Sequence, residues 1–141
     1  MDFFLDTSAL FKLFVQEELS EKYLTVLEEV PSIHVSSLSW VEFHSALRRK
    51  MDTKEISAKE RDHVLGSFKK DWKNYLKVHI SETVLESAAD LVSAHSLKSL
   101  DAIQLASALH IHNQLEEPVV FLTADRSLQA AAQREKLVTH P

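Results

Sequence analysis

A chain of 141 residues, 45% hydrophobic and 26% charged, has the size and composition of one globular domain spanning residues 1–141. With no cysteine it excludes disulfides and thiolate metal sites, and it fits a reducing, cytoplasmic setting. The opening M-D-F-F-L-D has no basic leader, no apolar run approaches the roughly 20 residues that cross a bilayer, and the formal charge of −5 calls for no acidic partner, so neither a signal peptide nor a membrane is expected.

One glycine and three prolines leave little turn punctuation, so helices are expected to dominate. A short apolar run at 2–5 reads as a first strand, followed by helical patterns over 7–14 and 20–30. A second strand is expected at 33–36 and a helix at 39–50. Ser57-Ala58-Lys59-Glu60 has the form of a capping box, opening a helix whose apolar stripe is Val64, Leu65, Phe68, Trp72 and Tyr75. A third strand is expected at 78–80. Ser81 suits the cap of a helix reaching 95, and Ser99 the cap of another reaching 112. Strands at 119–122 and 137–139 bracket a last helix over 125–136. Short apolar strands alternating with helices predict an α/β fold with a parallel sheet buried on both faces.

Asp6, Glu42, Asp101 and Asp125 stand out because each falls where a short apolar run gives way to a helical pattern. In a parallel sheet the carboxyl ends of the strands line one crevice, and ligands bind there. Carboxylates gathered at that edge make an all-oxygen pocket suited to Mg²⁺ or Mn²⁺ and to metal-assisted phosphodiester chemistry. Each acid also has a purely structural reading. Asp6 and Asp125 suit N-caps, Glu42 suits a capping box with Ser39, and Asp101 suits the first turn of a helix. Setting the four aside leaves a nearly neutral chain, so net charge does not exclude a polyanionic substrate.

The segments Leu5-Asp6-Thr7-Ser8-Ala9-Leu10, Trp40-Val41-Glu42, Leu100-Asp101-Ala102-Ile103-Gln104-Leu105-Ala106 and Leu122-Thr123-Ala124-Asp125 resemble, in order and spacing, the blocks of PIN-domain ribonucleases. The likeness spans the whole chain and is similar to the VapC-type toxins of toxin–antitoxin pairs. It implies a three-layer α/β/α sandwich with a central parallel sheet of about five strands. It implies a Mg²⁺- or Mn²⁺-dependent endoribonuclease, an RNA substrate, inhibition by a small antitoxin, and a homodimer or a higher assembly with that antitoxin. Asp6, Glu42, Asp101 and Asp125 match the family's acidic quartet as catalytic residues and metal ligands. Thr7, Ser8 and Thr123 match hydroxyls that support those carboxylates. Arg48, Arg49, Lys98 and Arg126 become candidate RNA contacts, and Lys98 stands where the family often has arginine.

Two other classes compete. A phosphoaspartate hydrolase or receiver would use Asp6 as nucleophile, but such hydrolases want a second acid two residues on, where this chain has Ser8. A catalytically silent PIN-like module binding RNA or protein would be marked by loss of an acid, and all four are present. The eight histidines do not suggest a zinc site: His110 and His112, two residues apart on a helix, diverge.

Overall fold

The computed structural model describes residues 1–140. Five parallel strands, β1 (Phe3–Leu5), β2 (Ile33–Ser36), β3 (Leu76–Val78), β4 (Val120–Leu122) and β5 (Val138–Thr139), form one sheet in the order β3-β2-β1-β4-β5. Seven helices connect and cover them among the described residues: α1 (Thr7–Phe11), α2 (Ser20–Leu27), α3 (Ser39–Asp52), α4 (Ala58–Trp72), α5 (Glu82–His95), α6 (Ser99–His112) and α7 (Arg126–Arg134).

Period-two alternation along the central strands builds two cores. Phe3 and Leu5 of β1 pack with Leu10, Tyr23, Phe43 and Phe68 from α1 to α4. Phe4, between them, packs on the other side with Val84, Leu105, Phe121 and Leu128, under α5 to α7. The result is the parallel sheet covered on both faces that the alternating pattern predicts, and the three-layer α/β/α sandwich that the resemblance implies. In the first core the Phe43 and Phe68 rings stack at 3.7 Å and 3°, joining α3 to α4, and Trp40 and Trp72 pack on Phe68. Helix α6 is buried along much of its length, which is why its sequence shows little amphipathic contrast.

Several helix signals hold. Ser57 and Glu60 form the capping box of α4, and Ser81 accepts from the Val84 amide at the start of α5. Other boundaries differ. The third strand is Leu76–Val78 rather than 78–80. It is an edge strand with β2 as its one neighbour, so pairing of His34 with Leu76 and Ser36 with Val78 sets its limits, and apolar Ile80 lies beyond it. The first helix ends at Phe11 because Leu13 and Phe14 turn back in short bonds to Leu10 and Phe11. Helix α2 ends similarly, with Glu28 bonded to Thr25 and Val30 to Leu27. Helix α6 has Lys98, not Ser99, at its N-cap, with no side-chain cap.

The site follows from the strand order. From β1 the chain winds outward through β2 and β3, then crosses back to place β4 on the other side of β1. That reversal leaves a crevice at the carboxyl ends of β1 and β4. Asp6 follows β1, and Thr123 and Asp125 follow β4.

Candidate active site

Asp6 is buried and extended, one residue past β1. Its Oδ1 accepts from the Ser8 hydroxyl at 2.7 Å and the Ala9 amide at 3.0 Å, and its Oδ2 accepts from the Thr123 hydroxyl at 2.6 Å. The Ala9 bond makes Asp6 the N-cap of α1, yet a cap alone does not require burial or two hydroxyl clamps. Burial pushes its carboxyl up to about 6 despite those three donors, and the charge of Asp101 adds to the rise. The loop after β4 is held as tightly. Ser8 Oγ accepts from the Ala124 amide at 3.0 Å, Thr123 Oγ1 accepts from the Asp125 amide at 3.1 Å, and the buried Tyr23 hydroxyl donates to the Thr123 carbonyl at 3.1 Å.

Glu42 sits in the first turn of α3, but not in a capping box, since the N-cap is Leu38 with no side-chain cap. Ser39 turns inward instead. Glu42 Oε1 accepts from the Thr7 hydroxyl at 2.7 Å and from Gln104 Nε2 at 2.8 Å. Gln104 Nε2 also lies 3.1 Å from Thr7 Oγ1 and 3.1 Å from Ser39 Oγ, and those two hydroxyls are 2.8 Å apart. Gln104 is 2% exposed, and its Oε1 is buried without a hydrogen-bond partner. Flipping the amide would aim a carbonyl at the carboxylate, so Glu42 dictates the orientation and leaves Oε1 orphaned. Sequence reasoning missed Gln104. It lies three residues after Asp101 in the same motif, one helical turn along, and that spacing was the available signal.

Asp101, in the first turn of α6, is the acid through which the others communicate. Burial raises its carboxyl above the usual range, the charges of Asp125 and Glu42 raise it further, and Lys98 offsets part of the effect. Asp125 caps α7 through Oδ1, which accepts from the Ser127 amide and hydroxyl and from the Leu128 amide. Burial works to raise its carboxyl, but these hydrogen bonds outweigh it and hold Asp125 below the usual range. The four acids thus share one electrostatic neighbourhood, with Asp101 coupled to each of the others.

The candidate cations divide. Lys98 lines the same cavity as Asp101 and Asp125, and Arg49 lines a cavity with Thr7 and Glu42. Arg126 is exposed at the first position of α7, next to Asp125. Arg48 points elsewhere, paired with Asp52 at 2.9 Å on the outer side of α3. Among the described residues no three Asp, Glu or His side chains form a ready metal cage. The donor set is nonetheless carboxylate and hydroxyl oxygen, with one desolvated carboxyl and mutual repulsion that a cation would relieve. It fits a hard divalent ion held by one or two carboxylates with water completing its octahedron, the usual manner of Mg²⁺.

A parallel five-stranded α/β/α sandwich with buried and half-buried acids at its switch point defines a class. The PIN domain model matches residues 3–134, and this chain belongs to that family. Ribonuclease VapC45 of Mycobacterium tuberculosis (strain CDC 1551 / Oshkosh) is 27% identical over 133 residues, covering 92% of this chain and 88% of that protein. Among solved structures, a toxin–antitoxin complex from Klebsiella pneumoniae has a chain 20% identical, with a TM-score of 0.61 over 87% of this chain and 86% of that one. Mycobacterium tuberculosis VapC20, described as a sarcin-ricin loop cleaving toxin, superposes with a TM-score of 0.67 at 15% identity over 92% and 94%. No described helix is long and apolar enough to cross a membrane.

Proposed function

We propose that this chain is a Mg²⁺- or Mn²⁺-dependent endoribonuclease that hydrolyses RNA phosphodiester bonds, acts as the toxin of a toxin–antitoxin pair, and is inhibited by a small antitoxin protein. The observation that carries this reading is Asp6, a buried carboxylate clamped by Ser8 and Thr123 and coupled electrostatically to Asp101. The 27% identical relative, a ribonuclease, and the toxin–antitoxin complex and sarcin-ricin loop cleaving toxin among the structural neighbours support it.

In this reading Asp6 and Asp101 would hold the cation, Glu42 would contribute directly or through water, and Asp125 would orient a water beside it. A bound divalent ion would supply charge neutralisation at the phosphate and a more acidic water. Ser8 and the Ala9 amide occupy Oδ1 and Thr123 takes one lone pair of Oδ2, which fixes the Asp6 rotamer and leaves the other lone pair of Oδ2 for a ligand. Thr7 and Gln104 do the same for Glu42, holding Oε1 so that Oε2 is presented. Gln104 is thereby a positioning residue. Water adds to phosphorus, the bond to the leaving ribose oxygen breaks, and that oxygen takes up a proton. Asp6, Glu42 and Asp125 lie where strands pass into helices and Asp101 where α5 passes into α6, all in a packed sandwich, so they are held before substrate arrives.

Incubating the purified chain with total cellular RNA and Mg²⁺ tests the reading, with cleaved ends mapped by sequencing. Discrete new ends, absent with Asp6→Asn, are expected. Intact RNA would contradict it. Arrested growth on expression of the chain, relieved by the product of a small neighbouring reading frame that co-purifies with it, is the outcome expected of the toxin role.

A further inference from the structure

A cavity of about 300 Å³ extends from Asp101 and Asp125 toward the end of α7. That volume is at the lower end for ligand pockets and suits a group of nucleotide size. Asp6 and Glu42 do not line it, so it leads away from two of the four acids to one side of the cluster. Lys98, Arg134 and Ser96 also line it. Neither Lys98 nor Arg134 has a salt-bridge partner among the described residues. His95, another lining residue, is already engaged, its Nε2 2.9 Å from Glu135. Arg134 is the last residue of α7, a helix anchored by buried Leu128, Ala131 and Ala132, so its backbone position is firm. The cavity on the opposite flank is different in kind. Leu38, Val41 and Leu100 make it largely apolar, and its one cation, Arg49, already donates to Ser45 at 3.0 Å.

Lys98 already faces the Asp101 and Asp125 carboxylates and offsets their charge, which leaves Arg134 as the cavity's uncommitted cation, and an uncommitted guanidinium there calls for a ligand with dispersed negative charge. A phosphodiester has it: the guanidinium fork matches two phosphate oxygens, and lysine adds a point charge. We infer that the Lys98–Arg134–Ser96 cavity binds the backbone phosphate of the nucleotide next to the cleaved bond, on the side of the acids away from Glu42. The inference rests on the ribonuclease reading and deepens it: the cleaved phosphate sits at the acids, and its neighbour is gripped here. It assigns Arg134 as a residue that places the strand, with Lys98 beside it.

Two measurements test it. The first is an NMR titration with uridylyl-uridine dinucleotide, with and without a 5′-phosphate, and with inorganic phosphate. The phosphorylated dinucleotide is expected to shift the amides of Ser96, Lys98 and Arg134, the dephosphorylated form much less, and Arg134→Met should remove the difference. Equal shifts from inorganic phosphate alone would mean a general anion site and would overturn the nucleotide assignment. The second is cleavage of a short single-stranded RNA as a function of salt. Arg134→Met should raise KM about tenfold, as expected for one lost charge-assisted contact, with a smaller change in kcat. It should also flatten the dependence of log KM on log salt by about 0.7. RNA carrying one neutral methylphosphonate linkage beside the cleaved bond should lose the same factor with the parent and little more with the variant. Cleavage with unchanged KM and salt slope in Arg134→Met sinks the cavity but not the ribonuclease reading. Dinucleotide shifts in a chain that cuts no RNA sink the ribonuclease reading and leave the cavity standing.

Discussion

The Thr123 hydroxyl donates a 2.6 Å hydrogen bond to Oδ2 of Asp6, a residue 117 positions earlier, across the crevice between β4 and β1. The bond joins the two strands at the point where the sheet order reverses, and it satisfies an acid that burial would otherwise strongly disfavour.

Asp6 makes stability depend on pH. Its folded carboxyl titrates near 6, against 3.8 for an unperturbed aspartate. Between those values the native state binds more protons than the unfolded chain, so metal-free stability falls as pH rises from about 4 to about 6. The loss from this group is on the order of 3 kcal/mol. Asp125 and Glu17, held below their usual values, act in the opposite sense and at lower pH. Urea unfolding in EDTA across this range should show the decline, and Asp6→Asn should flatten it. A parent curve that rises with pH over the same window contradicts the assignment.

Gln104→Met separates positioning from packing. The change removes the donor to Glu42, but it also removes the orphaned Oε1, so the two effects on stability oppose each other. Unfolding free energy should move by no more than about 1 kcal/mol, while RNA cleavage falls at least about tenfold. A loss of stability with cleavage unchanged would make Gln104 a core residue only.

Much of this arrangement could be read from the chain, and the limits are physical. The helix starts at Ser57 and Ser81 were legible because a cap is a local contact within four residues. The parallel sheet covered on both faces was legible because short apolar strands alternate with helical periodicity. The β3 register was not, because an edge strand takes its limits from hydrogen bonds to β2. The short α1 and α2 ended in turns that periodicity does not distinguish from helix. The four acids stood out by position and the resemblance offered Thr7, Ser8 and Thr123 as their hydroxyls, but the inward roles of Ser39 and Gln104 did not show. Thr7, Ser39 and Gln104 come from three different helices, and only the fold brings them to one carboxylate. Arg48 and Arg49 read alike as neighbours in a basic run, yet one helical step turns Arg49 to the Glu42 cavity and Arg48 to Asp52.

Asp101 gives a thermal test of charge crowding. Its carboxyl is raised by burial and then by Asp125 and Glu42, so Asp101→Asn should raise the melting temperature in EDTA. Millimolar Mg²⁺ should stabilise the parent by mass action and the variant much less. If the variant melts lower in EDTA and Mg²⁺ shifts both equally, the acids serve as caps and first-turn charges alone.

The central claim is that these carboxylates hold a divalent cation at which RNA is cut. Its most direct test is the single-turnover cleavage rate of a single-stranded RNA as a function of added Mg²⁺ or Mn²⁺, for metal-stripped parent and Asp101→Asn. The account predicts no cleavage in EDTA, a saturable rise with either ion for the parent, and a rate lower by orders of magnitude for the variant at every metal concentration. Cleavage undiminished by excess EDTA, or an Asp101→Asn rate equal to the parent's at saturating metal, would contradict it.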